Sequence, residues 1–158
     1  MSERSSRIRK RLGKIALVGV ISMAGTVACA AIAHHAMMGG HPVPPATEFG
    51  YGPRASAAGS FTATLGGVQP YRTGKLFGTE VTLAAAGGAP VTGARIEVDG
   101  GMPQHGHGLP TQPRVTRETA AGTYRIDGLK FNMGGWWELK LRIATDAGMD
   151  SVVFNLDL

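Results

Sequence analysis

The 158-residue chain has a single cysteine, Cys29, so no intramolecular disulfide staples it and its fold must hold by burial alone. Aromatics are few: five phenylalanines, three tyrosines and two tryptophans. Past the first 33 residues no apolar run keeps a helical period, which argues against a helical bundle. Charge is scarce too, at 17% of residues, and most of the chain lacks an excess of either sign. The net +5 sits at the front, where Arg4, Arg7, Arg9, Lys10, Arg11 and Lys14 face Glu3 alone. Sixteen basic residues less those six leaves ten, and eleven acidic residues less Glu3 also leaves ten. A balanced remainder offers no surface for a polyanion, so nucleic acid is set aside as a partner. No serine, cysteine or carboxylate pair stands where a nucleophile is activated or an acid faces a base, so an enzyme is not expected. Glycine-rich pieces such as GGAPVTG do not open a helix and make no phosphate cradle.

What is present starts with an address. The basic cluster runs into IALVGVISMAGTVACAAIA, residues 15–33, without a charge. Two readings fit residues 1–33: a signal peptide cleaved after Ala31 and Ala33, or a retained membrane anchor helix. In either case the positive N-terminal flank sends the rest across the membrane. The expected location is therefore periplasmic, or membrane-anchored with the domain outside the cytoplasm. Val27-Ala28-Cys29 has the small residues of a lipidation site, although Thr26 stands where a larger aliphatic residue is usual; a small apolar leader residue is the plainer reading of Cys29.

Residues 34–59 read as a flexible linker, because Pro42, Pro44, Pro45 and Pro53 deny it helix or ladder structure. Its start, His34, His35, Met37, Met38 and His41, is a histidine-and-methionine tract of the kind that captures metals outside the cytoplasm. With cleavage after Ala33, His34 becomes a terminal chelator for Cu(II). A polar tether without fixed geometry is the alternative.

From residue 60 to 158 apolar residues recur two apart in short runs bounded by glycine or proline. Strands are expected at about 61–66, 76–86, 93–99, 113–119, 122–128, 136–145 and 149–157. With 24 glycines and nine prolines in the chain, this describes an all-β fold, a single immunoglobulin-like sandwich of about seven strands. The missing Cys-Trp-Cys spacing excludes an antibody-type domain. Trp136 and Trp137 are adjacent, so on a strand one indole faces the core and the other faces out.

The segment DGGMPQHGHGLPTQPRV, residues 99–115, reads as a fixed loop that gathers Met102, His105 and His107. In an extended chain residues 105 and 107 project to one side. Imidazole with thioether suits copper, Cu(I) above all. Met133, in FNMGGWWEL, adds a second sulfur if its turn lies at the same end of the sandwich. The competing reading has both methionines capping the core and the histidines facing water.

These same segments, GAPVTGARIEVDGGMPQHGHGLPTQPRV and GTYRIDGLKFNMGGWWELKLRI, resemble the YtkA-like domain, often grouped with FixH-like proteins, over about residues 75–158. One departure is Gly134, where many relatives would have proline; it is expected to loosen the turn that carries Met133. The resemblance implies an exported β-sandwich met near copper handling and respiratory oxidase assembly, with Met102, His105 and His107 as metal residues and Met133 as a fourth. The function expected is an extracytoplasmic metal-binding module, copper its metal, acting as a carrier or an oxidase assembly accessory. The alternative is a non-metal interaction domain that docks on a membrane-protein partner.

Overall fold

The computed structural model describes residues 41–158. The leader, Cys29, His34, His35, Met37 and Met38 lie outside the described residues. Among those described, no helix is long and apolar enough to cross a membrane.

Among the described residues, nine strands build two antiparallel sheets: β1 (Arg54–Ala55), β2 (Phe61–Leu65), β3 (Phe77–Ala85), β4 (Arg95–Met102), β5 (His107–Gly108), β6 (Arg114–Ala120), β7 (Thr123–Leu129), β8 (Trp136–Thr145) and β9 (Gly148–Asp157). One sheet runs in the order β1-β2-β3-β7-β6 and the other β5-β4-β8-β9. The seven expected strands are all there. The two extra ones are pairs of residues, too short to show a period of two in sequence.

Alternation explains the sandwich. Phe61, Ala63 and Leu65 of β2, Val81 and Leu83 of β3, and Tyr124 and Ile126 of β7 face inward. They meet Trp137, Leu139, Leu141 and Ile143 of β8 and Val152, Phe154 and Leu156 of β9. A one-residue slip in any of these strands would turn its apolar set to water, so the register is strongly specified.

The linker expectation needs correction for its second half. Ala46–Glu48 forms a turn of 3-10 helix, and β1 pairs with β2, Arg54 opposite Ala63. Pro53 does not prevent this, because β1 is an edge strand and needs hydrogen bonds on one side only. The arm is tied to β9: Gly50 N donates to Asn155 O at 2.9 Å, and Asn155 Nδ2 donates to Glu48 O at 3.3 Å.

The same arm settles the tryptophan pair. Trp137 is wholly buried in the core, whereas Trp136, on the outer face, is also buried, at 7% exposure. Phe49 packs edge-on against it with ring centres 6.5 Å apart, and its Nε1 donates to Asn155 Oδ1 at 3.0 Å. An amphipathic indole on a sheet face is thus covered by its own chain and leaves no exposed tryptophan for a partner.

Candidate functional site

Residues 99–108 are a hairpin rather than a loop. β4 continues to Met102, which stands opposite His107, and Gly101 stands opposite Gly108. Pro103–Gly106 make the turn, with Met102 O accepting from His105 N at 3.1 Å and from Gly106 N at 2.9 Å. Gly106 closes it at φ +64°, a left-handed conformation that costs glycine nothing. The hairpin is possible because Gly101 has no side chain: a Cβ there would lie 2.5 Å from the carbonyl oxygen of His107.

This turn, and not an extended chain, brings the two histidines together. Both are exposed, and their rings lie nearly parallel, 13° apart, with centres separated by 6.2 Å. For a nitrogen–metal bond of about 2 Å, an ion stands roughly 3 Å from each ring centre, so two rings about 5–6 Å apart can share it. At 6.2 Å and stacked, the two rings would have to turn edge-on toward a common ion to share it.

Met102 is placed differently. It is 2% exposed and belongs to the core cluster. As cross-strand partners, Met102 and His107 leave the ribbon on the same face, Met102 into the core and His107 at its exposed rim. Its methyl group approaches Gly135: a Cβ built there would be 3.2 Å away. That contact sets the β4–β5 hairpin beside the β7–β8 connection, residues 130–135, and so places Met133 at the same end of the sandwich. Met133 is 39% exposed.

The turn at Gly134 is not loose. Trp137 Nε1 donates to Met133 O at 3.0 Å, and Gly135 and Leu158 exchange backbone hydrogen bonds of 2.7 and 3.2 Å. A Cβ on Gly134 would sit 2.8 Å from Leu158 O, so the glycine is what lets the C-terminal strand close over this connection.

One secondary candidate of the histidine-and-methionine tract lies within the described residues. His41, from the proline-rich arm, lines a hollow of about 270 Å³ together with His107 and Met102. The acids there are engaged: Asp99 Oδ1 accepts from Gly100 N at 2.7 Å, and Glu138 pairs with Lys140 at 2.8 Å. Among the described residues, no three His, Cys, Asp or Glu side chains already stand close enough to hold one ion. A hollow of about 690 Å³ lies at the other end of β4, between its edge and that of β6, lined by Arg95, Glu97, Val115 and Arg117.

The end that carries the hairpin also carries a third loop, residues 66–76, joined to the β7–β8 connection by Gly74 N donating to Phe131 O at 2.6 Å. Its core is aromatic: Tyr71 meets Tyr51 at 4.8 Å and Phe77 at 4.9 Å, and its hydroxyl bonds Gly66 O and Thr79 Oγ1 at 2.9 and 2.8 Å. Burial pushes that hydroxyl up to about 12. Val68 and Leu76 of the loop face solvent.

A two-sheet β-domain presenting a paired-histidine hairpin at one end is the class defined by these observations. The YtkA-like family model matches residues 57–142, and the chain belongs to that family. No curated protein matches it. Among solved structures it is similar to one described as the ZirS C-terminal domain, 12% identical over 93% of this chain and 97% of that one, at a TM-score of 0.38. That likeness is too slight to carry an argument.

Proposed function

We propose that this protein is an extracytoplasmic copper-binding module that holds or passes the ion through the β4–β5 hairpin. The observation that carries the reading is the near-parallel pair of His105 and His107, 6.2 Å apart on a turn fixed by backbone hydrogen bonds. Imidazole alone suits zinc, copper and nickel, whereas thioethers at Met102 and Met133, at the same end of the sandwich, favour copper, Cu(I) first. Export follows from the basic and apolar leader, and no catalytic step is assigned.

The experiment is a Cu(I) titration of the full chain in detergent against a competing chelator. Wild-type protein should bind one ion at the hairpin, and the His105→Ala, His107→Ala double variant should lose it. Equal affinity in the two proteins would refute the reading.

A second reading has an observation of its own. Val68, Leu76 and Met133 expose apolar surface at the same end as the hairpin, where a membrane-protein partner such as an oxidase assembly factor would dock. Under this reading, hairpin variants lose the partner with no dependence on metal.

A further inference from the structure

We propose that β4 is a self-pairing edge, through which two copies of this chain join into a dimer with one continuous sheet. This pairing does not depend on copper. Three of the four sheet edges are closed to other chains: β1 is only two residues long, β6 carries register irregularities at Val115/Arg117 and Glu118/Ala120, and β9 is covered by the arm, with Gly50 N donating to Asn155 O and Ala57 N to Ser151 O. Short strands, bulges and covering segments are the usual protections of an edge. Between Arg95 and Asp99 β4 has none of them. Its register against β8 is unbroken there, and β5 pairs only with Gly101 and Met102.

The open stretch presents defined backbone groups. Residues two apart on a strand direct their N–H and C=O to the same side. At one end of that side Gly100 O accepts from Leu109 N at 3.0 Å, and at the other Ala94 N donates to the Tyr124 hydroxyl at 2.9 Å. Ile96 and Val98 lie between, and among the described residues their N–H and C=O meet no backbone partner on this side. Their side chains point inward, opposite Ile143 and Leu141 of β8, and are half-buried because their outer flank is uncovered. The hollow of about 690 Å³ runs along this edge, with Ile96, Val115 and Tyr124 on its walls, and leaves room for an added strand.

The segment Arg95-Ile96-Glu97-Val98-Asp99 is complementary to itself when paired antiparallel about Glu97. Ile96 then stands opposite the partner's Val98 as a hydrogen-bonded pair, which satisfies the open groups of both residues. Arg95 stands opposite the partner's Asp99 on the outer face, in the positions where side chains approach most closely, and two-fold symmetry makes the contact twice. Among the described residues Arg95 has no carboxylate at ion-pair distance, and Asp99 is exposed. Glu97 meets its own copy on the axis, but its charge is already matched by Arg142 at 2.9 Å. Neighbouring registers are excluded. Pairing about Ile96 needs the Ala94 amide, which Tyr124 occupies, and pairing about Val98 puts the partner's Ile96 where Leu109 already bonds Gly100 and sets Glu97 against Asp99.

The test is sedimentation equilibrium of the full chain in density-matched detergent, comparing wild type, Arg95→Asp, Asp99→Arg and the double variant. Both positions are exposed, so the core is untouched, and circular dichroism checks the fold. Wild type should sediment as a dimer. Each single reversal sets like charges opposite one another at two symmetric places and should raise the dissociation constant on the order of tenfold, whereas the double variant restores opposite charges and should return to the wild-type value. The register is read separately in a Cys29→Ser background. Glu97→Cys brings two thiols together across the axis and should give a disulfide-linked dimer on mild oxidation; Arg95→Cys stands four positions, roughly 13 Å, from its own copy and should not. A wild-type monomer at every concentration would overturn the proposal. So would a dimer whose strength the single reversals leave unmoved, or one in which Arg95→Cys cross-links as readily as Glu97→Cys, since another surface would then hold the copies together.

Discussion

Met102 is a core residue at 2% exposure whose cross-strand partner is His107, and two substitutions separate its packing from its sulfur. Met102→Ala opens a cavity between the hairpin and Gly135; buried methionine-to-alanine changes cost about 2–5 kcal/mol. For a domain of this size each kcal/mol lowers the melting temperature by roughly 4 °C, so a fall of about 8–20 °C is expected in metal-free protein followed by circular dichroism. Met102→Leu nearly conserves volume and should cost less than about 1.5 kcal/mol. It removes the sulfur and keeps the packing. Its Cu(I) affinity, measured by chelator competition well below its melting temperature, should fall about tenfold while its fold stays intact. Full affinity in Met102→Leu would show that the thioether is packing alone and that the site is purely imidazole. An unchanged melting temperature in Met102→Ala would refute the buried placement itself.

Trp136→Ala removes the indole under Phe49 together with its hydrogen bond to Asn155. It should destabilise by about 3 kcal/mol and release the residue 41–50 arm to limited proteolysis, with cleavage mapped by mass spectrometry. Tyr71→Phe should cost about 1 kcal/mol near neutrality through the lost bonds to Gly66 and Thr79. Because burial raises the folded hydroxyl to about 12 from its ordinary 10, its stabilising contribution is complete below pH 10 and is lost as pH rises through 12. The phenylalanine variant should therefore lose less stability than wild type between those values in alkaline unfolding curves. Asp150 is held well below the usual carboxylate range by the Ser56 hydroxyl and by the amides of Ala58 and Ser151, which fastens the turn before β2. With a depressed folded value the contribution is present above the ordinary aspartate range and is lost as pH falls beneath it. Asp150→Asn should flatten the acid limb of the stability curve, and an unaltered limb would discount the interaction.

Seven strands and their faces were legible in sequence because the alternation of Val81 and Leu83, Tyr124 and Ile126, or Leu139, Leu141 and Ile143 is imposed by the pleat itself. The hairpin was half legible. Methionine and two histidines within six residues announced the chemistry, but the mode of approach depends on the turn at Gly106 and on the pairing of Met102 with His107, and pairing is a relation between segments that no local pattern encodes. For the same reason β1 and β5, two residues each, were not visible, and the second half of the linker was taken for tether. Proline content argued against helix and ladder alike, yet a 3-10 turn follows Pro45 and an edge strand follows Pro53.

Local sequence, then, determined the all-β class, the inward faces of the strands and the kinds of atom available for a metal, since each follows from composition or a short-range period. Only the tertiary structure decided which of those atoms meet. It buried Met102 and left His105 and His107 at the surface ring to ring. It put Met133 at their end of the sandwich by packing Gly135 against Met102, covered Trp136 with Phe49, and set His41 on the same hollow as His107. Each of these is a contact between residues distant in the chain, made by the packing of one sheet, arm or loop against another.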